Sequence, residues 1–163
     1  MRKRKGNSVA ESGVWNAYEY DVVRNKISDK GDGRLIESPR DLVKMFSDFV
    51  EQELSESLFV VSMGGRNNLL GIHRIYKGSA TGTSVAIGEI ARSAILMGAV
   101  GFALVHNHPT GFAEASDEDI SLTQEVEKAA RILDLQFLDH IIIATGGYCS
   151  IRSQKPSIWE RSN

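Results

Sequence analysis

The chain has 163 residues, 42% of them hydrophobic and 25% charged, with a formal net charge of −2. This size predicts one domain, the near-neutral balance gives no basic face for duplex DNA, and no apolar run reaches the ~18 residues of a transmembrane helix. A single cysteine, Cys149, excludes a disulfide framework and any multi-cysteine zinc cluster and fits a reducing, cytoplasmic setting.

Residues 1–13 are polar and basic, with no apolar stretch behind Met1-Arg2-Lys3-Arg4-Lys5, and read as a disordered lead-in, not a signal peptide. Residues 14–37 read as a strand and a linker. Tyr18, Tyr20 and Val22 alternate with Glu19 and Asp21 over 14–23, and 25–33 is polar and glycine-containing. Ser38-Pro39 then opens a helix, with Ser38 as N-cap and Asp41 in the first turn; Leu42, Met45, Phe46, Phe49 and Val50 form its apolar face.

Leu58 to Met63 predicts a buried strand, Gly64 to Asn68 a hairpin turn, and Leu69 to Tyr76 the returning strand. A small-residue loop over 78–83 leads to a helix over 84–97, with Ile87, Ile90, Ala91, Ala94 and Met97 at helical spacing and Gly98 as its stop. Val100 to His106 is apolar on both faces and predicts a central strand. A helix from Asp117 to about Leu133, a strand over 137–144 and a short strand over 148–151 complete the folded part, and 153–163 reads as a tail. Strands interleaved with helices predict an α/β fold with a central mixed sheet flanked by helices.

His106 and His108 stand two residues apart where a strand ends, so an extended backbone points both imidazoles to one side. Pro109 and Gly111 then turn the chain. Ser116-Asp117-Glu118-Asp119 reads as a capping-box variant that starts the next helix. Asp119 lies three and seven residues before Leu122 and Val126 on that helix's apolar face, so it points inward, where a lone carboxylate is costly. A divalent metal shared with His106 and His108 removes that cost, and two His with one carboxylate leave a fourth tetrahedral position open, as catalytic zinc sites require.

His106-x-His108-Pro109, followed by Ser116-x-x-Asp119, resembles the JAMM (JAB/MPN) metal-binding motif. His106-Asn107-His108-Pro109-Thr110-Gly111 with Ser116-x-x-Asp119-x-x-Leu122-Thr123, then Leu138-Asp139-His140-Ile141-Ile142-Ile143 and Gly147-Tyr148, resembles the bacterial RadC subfamily in particular. The likeness spans about residues 38–152 and implies a JAB/MPN domain there, with the three-layer, cytidine-deaminase-like core of that family. It implies one zinc ion per chain on His106, His108 and Asp119. It also implies a catalytic glutamate at the start of the strand after the first helix, which is Glu56 here with Glu53 as the fallback, and an oxyanion-stabilising role for Ser116. The helix-hairpin-helix unit that the subfamily usually carries ahead of this domain needs more than the first 37 residues, so no DNA contact is implied.

The activity so implied is zinc-dependent hydrolysis of a peptide or isopeptide bond in a protein or peptide substrate. Two other readings use the same residues: a non-catalytic MPN-like interaction module in DNA repair or other DNA transactions, and a two-His-one-carboxylate iron oxygenase. The ligand order followed by a helix disfavours the second of these. Selection among substrates is expected at 78–84 and 111–115. Cys149 reads as a small core residue, His73 as a surface or edge position, and His140 as a hydrogen-bonded core histidine with an outer role at the metal left open.

Overall fold

The computed structural model describes residues 35–78 and 85–160, without the side chains of 49–52. The expected lead-in 1–13, strand 14–23, linker 25–33 and most of the loop 78–83 lie outside the described residues, as do the side chains of Phe49 and Val50. In chain order the elements are α1 (Pro39–Gln52), β1 (Glu56–Met63), β2 (Leu69–Gly78), α2 (Ile87–Leu96), β3 (Gly101–Asn107), α3 (Asp117–Ile132), β4 (Gln136–Ala144), β5 (Gly147–Ser150) and α4 (Ile151–Gln154), followed by a 3-10 turn, Pro156–Ile158.

The five strands form one sheet in the order β2-β1-β3-β4-β5. β1 pairs antiparallel with β2 and β3, β3 pairs parallel with β4, and β4 pairs antiparallel with β5. The parallel pair needs a crossover, and α3 supplies it. Alternation along the central strands divides the core in two. Phe59, Val61, Ala103, Val105, Ile141 and Ile143 face Leu42 and Phe46 of α1. Leu58, Val60, Phe102 and Leu104 face Ile90 and Ala94 of α2 and Val126 and Ala130 of α3. A mixed sheet between helical layers on both faces is the α/β architecture expected from the sequence.

Local chemistry sets the element ends. Asp41 Oδ2 accepts the Ser38 N–H and the Ser38 hydroxyl, each at 2.9 Å, and closes the first turn of α1. Gly98 ends the turn after α2 with φ +62°, a conformation that costs glycine little. α2 begins at Ile87 with Ala86 as an N-cap that gives no side-chain bond, later than the expected Ser84.

The segment beyond residue 152 corrects an expectation, because as far as Glu160 it is not a tail. α4 and the 3-10 turn carry Trp159 onto Phe137, ring centroids 5.3 Å apart, where its indole N–H donates to the Phe137 carbonyl at 2.7 Å. Arg131 of α3 donates to the carbonyls of Ile158 and Glu160. An aromatic side chain with a polar handle gains from apolar burial and a hydrogen bond together, and this draws a polar segment onto the core. His73 is exposed on edge strand β2, and Cys149 is a buried free thiol.

Candidate metal centre

The candidate residues converge where β3 ends. β3 runs between β1 and β4 and delivers His106 and then His108 to the side of the sheet that α3 covers. The first turn of α3 brings Ser116 and Asp119, and the first residue of β1 brings Glu56. All five line one cleft of about 890 Å³, with Leu58, Tyr76, Val85 and Leu122 as its apolar wall.

Asp119 is the hub, with only 4% of its surface exposed. Its Oδ1 accepts from His106 Nδ1 at 2.9 Å. Its Oδ2 accepts the Ser116 N–H at 2.9 Å and the Ser116 hydroxyl at 2.7 Å, and lies 3.4 Å from His108 Nε2. The Asp119 N–H returns to Ser116 Oγ at 3.1 Å, which completes the expected capping box. Burial opposes ionisation, but the bonds from His106 and His108 outweigh it and hold the Asp119 carboxyl well below the usual carboxylate range.

The hydrogen bonds also fix how the two imidazoles are presented. A carboxylate only accepts, so His106 Nδ1 carries its proton toward Asp119 and Nε2 is left facing Glu56 Oε1, 3.5 Å away. His108 Nδ1 donates to the Phe112 carbonyl at 3.2 Å, which leaves Nε2 toward the cleft. The rings stand edge to face, centroids 4.9 Å apart. The Asp119 hydrogen bond raises the His108 pKa.

Two overlapping groups of donor atoms, each within 4.8 Å of one another, could hold a metal ion: Glu56, His106 and His108, and His106, Asp119 and His140. The structure therefore brings Glu56, His106, His108 and Asp119 into one cleft, with His106 shared by both groups: Glu56 lies on its Nε2 side and Asp119 on its Nδ1 side. Glu53, the fallback for Glu56, is instead paired with Lys77 of β2 at 2.8 Å. Ser116 is adjacent, with its hydroxyl engaged by Asp119.

Two residues beyond the expected ligands, both within the segments that carry the RadC likeness, stand behind this site. Thr123, one turn after Asp119, donates its hydroxyl to the Asp119 carbonyl at 2.6 Å. That hydroxyl has one proton, so at its 2.8 Å contact with His140 Nδ1 it accepts, and His140 carries its proton on Nδ1. His140 is fully buried and stacks near His106 with centroids 6.2 Å apart, while its Nε2 has no hydrogen-bond partner. Burial, and then the neighbouring His106, push the His140 pKa down to about 3. The expected core histidine is therefore neutral and holds a bare lone pair beside the site. The sequence signal was a histidine inside an apolar strand; the structure pairs it with Leu104, one face-repeat before His106.

Residues 36–156 match the model of the RadC-like JAB domain family. The chain belongs to that family. A UPF0758 protein of Roseiflexus castenholzii is 30% identical over 155 residues, covering 94% of this chain and 66% of that relative. Others from Trichodesmium erythraeum and Acidithiobacillus ferrooxidans are 38% and 33% identical over 126 and 125 residues, each covering 77% of this chain but 51% and 55% of the relative. The RadC-like JAB domain chain thus spans about half to two thirds of the length of these relatives, whose names state no activity. It is a JAMM/MPN-type domain, and no helix among its described residues is long and apolar enough to cross a membrane.

Proposed function

We propose that this domain is a zinc-dependent hydrolase that cleaves a peptide or isopeptide bond in a protein or peptide substrate. The observation that carries the reading is the placement of Glu56 Oε1 3.5 Å from His106 Nε2, in the cleft that His108, Asp119 and Ser116 also line. The donor set fits the ion. Imidazole nitrogens and an ionised carboxylate are ligands that zinc takes; His106 Nε2 lies beside Glu56 and His108 Nε2 beside Asp119, and on binding zinc His108 gives up any proton on Nε2. His106, His108 and Asp119 would hold the zinc, which would supply Lewis-acid polarisation of the scissile carbonyl and lower the pKa of water to about 7.

The remaining work falls to the protein. Glu56, the carboxylate not needed as a ligand, takes a proton from water at Oε1 and returns it to the leaving nitrogen. The Ser116 hydroxyl, turned from Asp119 into the cleft that it lines, donates a hydrogen bond to the developing oxyanion. Leu58, Tyr76, Val85 and Leu122 form an apolar wall that holds the peptide chain and limits water. A buried, free Cys149 suits a cytoplasmic enzyme.

The test is metal content by elemental analysis after dialysis without chelator, on the native protein, His108→Ala and Glu56→Gln. The reading expects near one zinc per chain in the native protein and in Glu56→Gln, and loss in His108→Ala. Glu56→Gln is then the inactive control in screens of peptide and isopeptide substrates. A native protein that takes up no zinc refutes the hydrolase reading and leaves an interaction module. Iron in place of zinc points to the oxygenase chemistry.

A further inference from the structure

Asn107 sits between His106 and His108, so strand alternation turns its side chain away from both imidazoles. The hydrolytic chemistry above makes no use of it. It is nevertheless 2% exposed, and a buried amide needs partners at both ends. Both partners are backbone groups at the start of β1. Oδ1 accepts the Ser57 N–H at 2.7 Å, and Nδ2 donates to the Ser55 carbonyl at 3.0 Å.

Those two backbone groups flank Glu56. Ser57 opposite Asn107 is the last pair of the β1–β3 ladder, and the ladder itself bonds nothing beyond it. The Asn107 amide acts as a substitute peptide group that carries the ladder one residue further. On its other edge β1 pairs Glu56 with Gly78 of β2, so the backbone around Glu56 is held by β2 on one edge and by the Asn107 amide on the other. Glu53, three residues earlier, is held by Lys77 and accepts the Ser55 N–H at 3.2 Å, so it steadies the residue before Glu56 and does not face His106.

We propose that Asn107 is the positioning residue for Glu56: its amide fixes the backbone on either side so that the carboxylate stands toward His106. The proposal rests on Glu56 working beside a metal held by His106, His108 and Asp119. One tripeptide, His106-Asn107-His108, then sets both parts of the site, with two imidazoles on one side of the strand and the clamp on Glu56 on the other. Small displacements of a reacting group are costly in rate, which gives such a clamp its value.

The test reads the position of Glu56 without any substrate. The full chain, labelled with 13C at the glutamate carboxyl carbons, is loaded with Co2+, whose unpaired electrons displace nearby resonances by an amount that falls with the cube of distance. In the native protein we expect a strongly displaced carboxyl line that vanishes in Glu56→Gln. In Asn107→Ala the same line should lose most of its displacement or broaden, while Co2+ stays at one per chain. Asn107→Asp, which keeps the acceptor for Ser57 but sets an acceptor against the Ser55 carbonyl, should move the line in the same direction, and it decides the matter if the alanine variant does not fold. Val60→Ala weakens β1 but leaves the clamp intact, and should leave the line in place. A line at its native position in the Asn107 variants with Co2+ bound overturns the positioning role alone. An equal displacement in Val60→Ala also overturns it. Failure of the native protein to bind Co2+ overturns the metal reading, and this proposal with it.

Discussion

A neutral, fully buried His140 makes the stability of the metal-free domain depend on pH in a predictable sense. Its folded pKa is about 3 against an ordinary value of 6.5, so between those limits the unfolded chain binds a proton that the folded chain does not. This contribution to stability is fully present above 6.5 and is lost as pH falls. At pH 5 the deficit is 1.5 pH units at 1.36 kcal/mol each, about 2 kcal/mol. The other shifted groups do not mimic this slope. His108, raised by Asp119, acts in the opposite sense as pH falls through 6.5, equally in the two proteins compared below, and Asp119, held low by its two histidines against its burial, matters only as pH falls into and below the ordinary carboxylate range. Asp139, raised by burial, acts in the opposite sense nearer that range. Urea unfolding followed by tryptophan fluorescence at pH 7, 6 and 5, with EDTA present, measures the slope, and His140→Gln removes the titrating group. The native protein should lose about 2 kcal/mol more than His140→Gln between pH 7 and 5. Equal losses in the two proteins would refute the picture of a buried neutral imidazole.

Other outcomes follow from packing. Trp159→Ala removes a part-buried ring from Phe137 and an indole bond to its carbonyl, and should cost about 3 kcal/mol, the low end for aromatic truncation, read as a lower urea midpoint at unchanged zinc content. Gly101→Ala places a Cβ 3.0 Å from the Gln136 carbonyl oxygen in the β3–β4 pairing and should destabilise by about 1–3 kcal/mol. Gly71→Ala meets only the flexible Met97 side chain, and its urea midpoint should fall less than that of Gly101→Ala.

What the sequence made legible was whatever repeats or is locally closed. Apolar runs marked β1, β3 and β4, helical spacing marked α1, α2 and α3, and Ser116 with Asp119 announced a capping box that the structure contains. The spacing of His106, His108 and Asp119 was enough to bring them to one cleft. What stayed hidden depends on partners distant in the chain. β1 begins at Glu56, two residues before its apolar run, because β2 pairs with it as far as Gly78 and Asn107, some fifty positions on, binds the backbone on its other edge. α4 and the turn at Pro156 have no apolar period, since their order comes from scattered contacts: buried Ile151, the Arg152 N–H on Asp139, and Trp159 on Phe137. The state of His140 required knowing that the Thr123 hydroxyl was already committed to Asp119.

Asp119 serves the helix and the site with the same two oxygens. The Ser116 N–H, the Ser116 hydroxyl and the His106 ring all end on its carboxylate, and Thr123 ends on its carbonyl. The first turn of α3 therefore does not open residue by residue as a free helix end does. Release of the carboxylate unfastens the helix start, the His106 ring and the turn from Pro109 to Ala115 in one step. In hydrogen exchange, the amides of Ser116, Asp119 and Ile120 should share one opening rate, set by the end of β3 and not by ordinary helix fraying.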